Sequence, residues 1–422
     1  MKPTHIFPFA LLLCTAILFS CKTARTTVIR PYNYPDSTLT LRIPKRLPGM
    51  QLKTDSIVHL HVIPFDGTKA EYPTIRTRYI PLETTDECRI RSISKMESDD
   101  SILFIFDYFG QKVLSFSERD GSFLTKFNIP EQKTGNYYNP ITGMGVDKKR
   151  KEVCVILYGE SNKLLYFAYD GTPLREEPIY YYYSDIQYVG DNLVLLTGEN
   201  KGIQAIKNNR LMIARHDQTP LAGGFYLPDT YDCNHRLHRG LQSCGEEVYY
   251  AHVLSDTIWQ VRENGCCEAR YVIKAPGRDK TLFSEEEIRT LTNEQYEART
   301  KGTQRLCASY ITRDFIYTDI FNGSSILYCI PTGHYLYNPH LPQKFHMPNL
   351  NFATHTLNGT SFVKELDITP IYRKHHNIKN LYDRNTFREY WEEEMDPEER
   401  KMLDAIQEEG NPLLMVFDVE PF

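Results

Sequence analysis

Short apolar runs separated by polar breaks recur along the chain from about residue 76 onward. In each unit, one apolar run is followed by a polar break, a second run and a turn. The run Ser101–Asp107, for example, precedes Gln111–Ser117 and the turn Asp120-Gly121. Asp-Gly or Asn-Gly between apolar runs predicts a β-hairpin with a type I′ turn, because that turn needs positive φ at both central residues.

These hairpins repeat about every 40–70 residues, and a hairpin-rich repeat of that period predicts an all-β fold, the β-propeller. The third unit is assigned to Asn192–Thr197 and Ile203–Ile206, with its turn at Asn208-Asn209. We expect six blades, or seven if residues 50–75 form a blade of their own. The predicted turns end at Gly121, Gly171, Asn209, Gly265 and Gly333.

The two ends of the repeat region are expected to complete one blade together. Residues 411–419 form an apolar strand at the end of the chain, and Tyr79–Leu82 is the strand that precedes the first unit. Pairing these segments in one sheet removes the exposed edges that favour aggregation.

Two helical insertions are predicted between the strands. Ser284 with Glu287 has the spacing of a capping box, opening a helix that continues to about Lys301. Asp396 followed by proline favours a second helix start, and Gly410 is suited to end that helix. A blade has no room for a helix, so both would protrude or cap one face.

The N-terminus has the features of an export signal. An apolar run from Ile6 to Phe19 follows Lys2 and is too short to span a membrane. The stretch Leu18–Cys21 resembles the lipobox of bacterial lipoproteins, which would make Cys21 the lipid attachment site; the alternative is a signal peptide with an incidental cysteine. Accordingly, 1–20 is assigned to the signal, 21–75 to a tether with N-terminal strands, and 76–422 to the propeller.

The net charge of the chain argues against nucleic acid as a partner. Without the signal, the chain carries 48 basic and 54 acidic side chains, a formal charge of −6 that offers no nucleic acid a basic surface. Tyrosine is abundant and favours strands. In the run Tyr180–Tyr183, two rings are expected to pack inward and two outward, and outward rings can stack on sugars.

Cysteine spacing gives no metal-binding or redox motif, because no Cys-x-x-Cys occurs. Cys154, Cys307 and Cys329 lie in apolar runs and are expected to be buried free thiols. Cys233 and Cys244 are the pair most suited to a disulfide, since export permits such bonds. Adjacent Cys266 and Cys267 point to opposite faces of a strand and cannot readily pair.

The chain contains no Gly-x-Ser-x-Gly motif of α/β-hydrolases, no glycine-rich phosphate-binding loop and no His-Glu-x-x-His zinc motif. The densest polar cluster is Asn234–Arg239, in which His235, His238 and Arg239 are candidate binding residues. Histidines from such loops can also ligate a metal in a propeller channel. The alternative for this cluster is an ordinary polar loop between blades.

Five features of the chain together resemble the six-bladed β-propeller lipoproteins of Bacteroidetes. They are Leu18–Cys21, Ile80–Glu83, Phe104–Gly121, the segment before Gly410-Asn411-Pro412 and the final strand. The resemblance implies a propeller anchored in the outer membrane and carries no catalytic signature. Basic residues directly after Cys21 favour the periplasmic face of that membrane over the cell surface.

Two functions remain open at this point. The first is a non-enzymatic binding module that presents its loops to a glycan, a peptide or a protein and requires no cofactor. The second is a lyase or hydrolase with a divalent metal in the central channel, for which His235 and His238 are the first candidates.

Overall fold

The computed structural model describes residues 26–31, 38–55, 57–61, 73–130, 140–159, 162–197, 203–207, 209–226, 240–251, 257–274, 306–320, 324–339, 353–367, 406–407 and 409–422, with the single positions 292, 294, 295 and 397. Five strands precede the repeats: β1 (Thr26–Ile29), β2 (Leu41–Pro44), β3 (Gln51–Lys53), β4 (Val58–His61) and β5 (Ile75–Pro81).

The next twelve strands form blades 1 to 3. Blade 1 contains β6 (Lys95–Asp99), β7 (Ile102–Asp107), β8 (Lys112–Ser117) and β9 (Phe123–Lys126). Blade 2 contains β10 (Ile141–Asp147), β11 (Glu152–Leu157), β12 (Lys163–Ala168) and β13 (Pro173–Pro178). Blade 3 contains β14 (Tyr183–Val189), β15 (Asn192–Thr197), β16 (Asn209–Arg215) and β17 (Pro220–Tyr226).

The last eleven strands form blades 4 to 6. Blade 4 contains β18 (Leu241–Cys244), β19 (Glu247–Ala251), β20 (Thr257–Val261) and β21 (Cys266–Lys274). Blade 5 contains β22 (Leu306–Ile311), β23 (Phe315–Ile320), β24 (Ser324–Cys329) and β25 (Tyr335–Tyr337). Blade 6 contains β26 (His355–Leu357), β27 (Ser361–Leu366) and β28 (Leu413–Val419), and β5 is its outermost strand.

The pairing of β5 with β28 in blade 6 confirms the prediction that the two ends of the repeat region complete one blade. Strands β28 and β5 pair antiparallel from Leu413↔Pro81 to Val419↔Ile75. The described strands thus form a six-bladed all-β propeller, as the repeats predict. The first strands of neighbouring blades contact one another around the ring, so they line its axis.

The apolar core is divided into six clusters, one between each pair of neighbouring blades. The second and third strands of the blades supply most of it, since their side chains are buried on both faces. In β7, for example, Leu103 and Ile105 face blade 6, whereas Phe104 and Phe106 face blade 2. Burial of this kind stabilises the fold by about 1.5–3 kcal/mol per large apolar side chain.

The N-terminal strands lie against the outside of the ring. The β1–β2 hairpin packs Ile29, Leu41 and Ile43 onto the core between blades 2 and 3. Strands β3 and β4 pair in parallel with β21 and extend blade 4. The described part of residues 50–75 therefore forms no seventh blade, because these strands cover the edge of an existing one.

Four of the five predicted hairpin turns, those ending at Gly121, Gly171, Gly265 and Gly333, occur between the third and fourth strands of a blade, but the two described below differ from type I′. At Asp120-Gly121, only the glycine has positive φ (75°). The aspartate instead accepts a hydrogen bond at Oδ1 from the Ser122 amide, 3.1 Å away, which makes an Asx turn. The same contact joins Asp170 to the Thr172 amide at 2.9 Å. A β-bulge in the adjoining pair accompanies both turns.

The prediction for the third unit was wrong in its second strand. Residues 203–207 form a turn in which the Ile206 amide donates to the Ile203 carbonyl at 3.0 Å. The strand is β16, which begins at Asn209, and its own turn is at Asp217–Thr219. Gln218, with φ of 63°, occupies the position that glycine takes in other blades. Because this turn contains no Asp-Gly or Asn-Gly, the sequence pattern did not predict it.

The two helical insertions are not supported by the described residues, which contain no complete helix. Most of 284–301 and 396–410 lies outside them. Helical backbone is assigned at Glu294, Gln295 and Pro397. Thr292 and Gln295 exchange the two hydrogen bonds of a capping box, at 3.0 and 3.3 Å.

We expect Gly121→Ala to destabilise the propeller by more than about 2 kcal/mol, because two costs combine there. Alanine resists positive φ, which costs roughly 1–2 kcal/mol. In addition, a Cβ on Gly121 would lie 2.1 Å from the carbonyl oxygen of Pro81, in the closing strand β5. Denaturant unfolding of purified protein measures this loss.

Gly333→Ala is the matched control. Gly333 has nearly the same φ, 76°, but its added Cβ would meet nothing nearer than the Tyr328 hydroxyl at 3.5 Å. We expect a loss of about 1 kcal/mol for this variant. Equal losses in the two variants would contradict a specific contact between the blade 1 turn and the closing strand.

Candidate functional site

The two faces of the propeller differ in the length of their connections. The turns from first to second and from third to fourth strands lie on one face and span two to five residues each. We call this the short-turn face. The other connections lie on the opposite face, which we call the long-loop face. One of them joins β27, ending at Leu366, to β28, beginning at Leu413, and spans 46 residues.

A lysine of blade 1 crosses the axis between the blades. Lys95 Nζ donates to Asp185 Oδ1 of blade 3 at 2.7 Å. It also donates to the carbonyls of Met144 in blade 2, at 2.8 Å, and Ile186 in blade 3, at 2.9 Å. These carbonyls belong to the innermost strands, whose inward edges have no neighbouring strand. One side chain thus satisfies exposed edges of two other blades.

Glu97 extends this network across the full width of the channel. Its carboxylate accepts a hydrogen bond from Gln187 Nε2 of blade 3 and another from Ser243 Oγ of blade 4, the latter at 2.9 Å. Blades 1 and 4 lie opposite each other in a six-bladed ring. Glu97 and Gln187 are both buried. We call Lys95, Glu97, Asp185, Gln187 and Ser243 the axial network.

The charges of the axial network do not balance, since one cation faces two carboxylates. Burial alone would lower the pKa of Lys95, but Asp185 and Glu97 outweigh it, so its pKa is raised and the ammonium persists. Burial raises the pKa of Asp185, and Lys95 only partly offsets this effect. Without Lys95, the carboxylates of Asp185 and Glu97 would lie close together with no cation to offset their repulsion.

The short-turn end of the channel is closed by contacts between turns. Lys148 Nζ of blade 2 donates to the Gly245 carbonyl of blade 4 at 3.3 Å. The amide of Arg313 in blade 5 donates to the Gly359 carbonyl of blade 6 at 2.8 Å. A Cβ on Gly359 would lie 2.6 Å from the Gly245 amide nitrogen, so only glycine allows this approach.

A second buried lysine behaves in the opposite way. Lys364 in β27 faces blade 5, and burial lowers its pKa to about 8. Glu365 and Asp319 oppose this change but do not outweigh it. The contrast with Lys95 follows from geometry, because Lys95 lies within 3.4 Å of two carboxylates.

Aromatic rings are exposed on the long-loop face. Phe109, between β7 and β8, is 64% exposed, and Tyr182, between β13 and β14, is 39% exposed. The Tyr182 ring lies 5.1 Å from that of Tyr158, between centroids, at an angle of 31°. The Tyr158 hydroxyl is held in place by the backbone of Tyr183, donating to its carbonyl and accepting from its amide. The Tyr158–Tyr182 pair is therefore fixed by the fold.

The tyrosine run has the predicted division but is mostly not strand. Tyr181 and Tyr183 are buried, while Tyr180 is half-buried and Tyr182 exposed. Only Tyr183 belongs to β14.

The remaining candidates from the sequence lie outside the described residues. These are Cys21, His235, His238 and Arg239. Cys233 also lies outside them, and its proposed partner Cys244 is a free thiol whose pKa burial raises to about 11. Cys154 and Cys329 are buried free thiols, as predicted.

Sequence reasoning missed the axial network. Its residues lie in innermost strands, where polar and apolar side chains are mixed and no continuous apolar run forms, as in Lys95–Asp99 and Tyr183–Val189. A partial signal was present, because the charged residues Lys95 and Glu97 lie shortly before the apolar run that begins at Ile102. Within the described residues, no group of three or more histidine, cysteine, aspartate or glutamate side chains is arranged to hold a metal ion. That part of the chain also contains no helix long and apolar enough to cross a membrane.

We expect Lys95→Met to destabilise the protein by about 3–5 kcal/mol at pH 7, because it leaves the buried carboxylate of Glu97 and the largely buried one of Asp185 without their cation. The folded-state pKa of Asp185, already above that of the unfolded chain, would rise further in this variant. The folded variant then binds a proton more readily as the pH falls, so the loss should shrink between pH 7 and pH 5. Denaturant unfolding across this range measures both effects.

Lys149→Met is the control, since Lys149 pairs with Asp191 at 2.9 Å on the exposed short-turn face. Such a pair contributes at most about 1 kcal/mol. If the two variants lose equal stability, or if the loss caused by Lys95→Met is independent of pH, Lys95 does not stabilise the fold through the carboxylates of the axial network.

Comparison with solved structures gives the fold. A protein from Bacteroides fragilis NCTC 9343, whose name marks it as a candidate exported protein, is similar at a TM-score of 0.63 and 14% identity, over 86% of this chain and 100% of that one. BamB from Moraxella catarrhalis matches at a TM-score of 0.33 and 11% identity, over 61% and 67%. The RRP9 WD40 repeats match at 0.34 and 11%, over 63% and 67%.

No curated protein matches the chain. A family model described as "Domain of unknown function (DUF4934)" matches residues 74–418, which include all six blades and the closing strand. The chain therefore belongs to the DUF4934 family, as a six-bladed β-propeller whose axis is crossed by its own charged side chains.

Proposed function

We propose that the protein is a lipid-anchored β-propeller of the cell envelope that acts as a non-enzymatic binding module. Its lipid would be attached at Cys21, and its place would be the periplasmic face of the outer membrane. The signal-like N-terminus and the Leu18–Cys21 stretch support the anchor. The name of the similar Bacteroides fragilis protein, a candidate exported protein, is in keeping with export.

The observation that carries the binding role is the bridged axis. Glu97 and Ser243 are hydrogen-bonded across opposite blades, so the protein's own side chains occupy that level of the channel. A metal-dependent lyase or hydrolase would need an open central position for a metal and a substrate. The bridge favours recognition at a face of the ring over chemistry within it.

The long-loop face is the surface best suited to that recognition. Connections on a rigid scaffold are the usual carriers of binding residues. Those that carry Phe109, Tyr158 and Tyr182 are only four or five residues long, so the blades hold these rings close to the face. On this face, Phe109 and the Tyr158–Tyr182 pair present ring surfaces beside polar hydroxyl groups. Tyrosine combines a large apolar area with a hydrogen-bonding group at low entropic cost. Such a surface suits the apolar face of a sugar ring or the side chains of a peptide or protein.

We expect Phe109→Ala and Tyr182→Ala to weaken ligand binding at least about tenfold, as loss of an aromatic anchor does in other interfaces. The mature protein would be screened against a glycan array, a peptide library and purified envelope proteins. Titration of each binder with the variants then measures the loss.

The controls are Leu124→Ala and Leu174→Ala. These leucines are 49% and 47% exposed, comparable to Tyr182, but lie on the outermost strands β9 and β13. Binding should be unchanged in both. A ligand lost equally in all four variants, or in none, would argue against the long-loop face as the binding surface.

We further expect the melting temperature of the mature protein to be the same before and after chelator treatment. A metal held at a hundred times its dissociation constant would stabilise the fold by about 2.7 kcal/mol, which a melting curve resolves. A clear drop on chelation, abolished by His235→Ala or His238→Ala, would instead support the metal-dependent enzyme.

A further inference from the structure

Charge is distributed unevenly between the N-terminal segment and the rest of the chain. Residues 22–54 contain seven basic side chains and one acidic one, a net charge of +6. The chain from residue 21 onward carries −6 in total, so residues 55–422 carry −12. The basic residues of the segment are Lys22, Arg25, Arg30, Arg42, Lys45, Arg46 and Lys53.

The β1–β2 hairpin presents part of this charge on one face. Its inner face is buried on blades 2 and 3. On its outer face, Val28 is 54% exposed and lies opposite Arg42 in the strand register. Arg42, Arg30 and the adjoining Lys45 and Arg46 are all exposed. We call these four cations, with Val28, the hairpin patch.

The cations of the hairpin patch differ from those of a second basic cluster in the described part of the chain. In the turn Lys149–Lys151, every side chain forms an ion pair with an aspartate, such as Lys151 with Asp99 at 2.6 Å. The four patch cations form no ion pair with any other residue that the structure describes. Their charge is therefore available to an external anion.

The proposed lipid anchor lies very close to this patch along the chain. Thr26, the first residue of β1, follows Cys21 by five residues. An extended chain covers about 3.4 Å per residue, so the start of β1 can lie at most about 17 Å from the anchored residue. That upper limit is about two Debye lengths at physiological salt, and screening removes most of the attraction beyond one. The tether is therefore short enough to hold the hairpin near the bilayer, and its charges interact with the bilayer surface when the hairpin lies against it.

We propose that the hairpin patch is the surface by which the protein lies on the membrane, where it binds anionic phospholipid headgroups. This proposal rests on the proposed attachment of lipid at Cys21. The four cations face the phosphates, and Val28 enters the headgroup region. Attraction of this kind adds a second signal to a lipid chain. The acidic remainder of the protein is repelled from the same surface, which fixes the orientation of the ring.

The test uses the mature chain with Cys21→Ser, so that no acyl chain contributes. Its sedimentation is measured with vesicles of phosphatidylcholine alone and with about 30% phosphatidylglycerol, at about 50 and 500 mM NaCl. We expect binding only to the anionic vesicles at low salt. Combined Arg42→Gln, Lys45→Gln and Arg46→Gln should weaken it about fivefold per charge, or roughly a hundredfold.

The control removes three exposed arginines elsewhere, by Arg119→Gln, Arg215→Gln and Arg313→Gln, with the same change in net charge. This variant should bind anionic vesicles slightly better or unchanged. Hydrogen exchange should show protection of β1 and β2 on anionic vesicles in the parent protein. Thermal unfolding checks that both triple variants are folded.

Several results would overturn the proposal. Equal sedimentation with both vesicle types, equal loss in both triple variants, or capture of an acidic protein or nucleic acid without vesicle binding would each do so. Acylation of Cys21 is measured separately, from the mass of the N-terminal peptide of the wild-type protein. Failure of the anchor and failure of the hairpin patch are therefore distinguishable.

Discussion

The antiparallel pairing of β28 with β5 is the constraint on which the rest of the structure depends. It joins Val419 to Ile75 and Leu413 to Pro81, residues more than 300 positions apart in the chain. A propeller has six equivalent interfaces only if the ring closes, and an open ring would expose two apolar blade faces. Closing so long a loop costs entropy, but the cost grows only with the logarithm of its length. Seven paired residues and the apolar cluster between blades 6 and 1 offset it.

Closure also brings the inner edges of six strands together at the centre of the ring, where their backbone N–H and C=O groups have no neighbouring strand to pair with. The ammonium of Lys95 satisfies some of these groups, because it donates to two edge carbonyls as well as to a carboxylate. The arrangement is asymmetric, because blades 1, 3 and 4 supply its charged and polar side chains. The centre therefore differs from the symmetric ring around it. The pKa of Lys95 is raised because Asp185 and Glu97 outweigh the effect of burial, whereas burial lowers the pKa of Lys364.

The parts of the blades that sequence reasoning found are those buried on both faces. Strands such as β7 and β11 are continuous apolar runs, and the Asx turns after the third strands carry a recognisable Asp-Gly. The innermost strands escaped notice because the axis they line is polar, as in Lys95–Asp99. The outermost strands escaped notice where they are largely exposed, as in β9 and β13, because their sequences are then polar enough to resemble loops. Gln218 shows the same limit, since it takes a positive φ that only the surrounding turn imposes.

The amino-acid sequence by itself determined the repeat, the all-β class, the closing strands and the export-like N-terminus, because local periodicity and turn chemistry encode these features within a few residues. Tertiary structure alone decided which polar side chains meet. Glu97 and Ser243 are 146 positions apart and belong to opposite blades, so no local pattern relates them. It also decided that the described parts of residues 26–61 lie along the outside of the ring, since edge strands of blades 3 and 4 accept pairing from an extended segment within reach. That packing also buries the apolar face of the β1–β2 hairpin and leaves Val28 and Arg42 exposed on its other face.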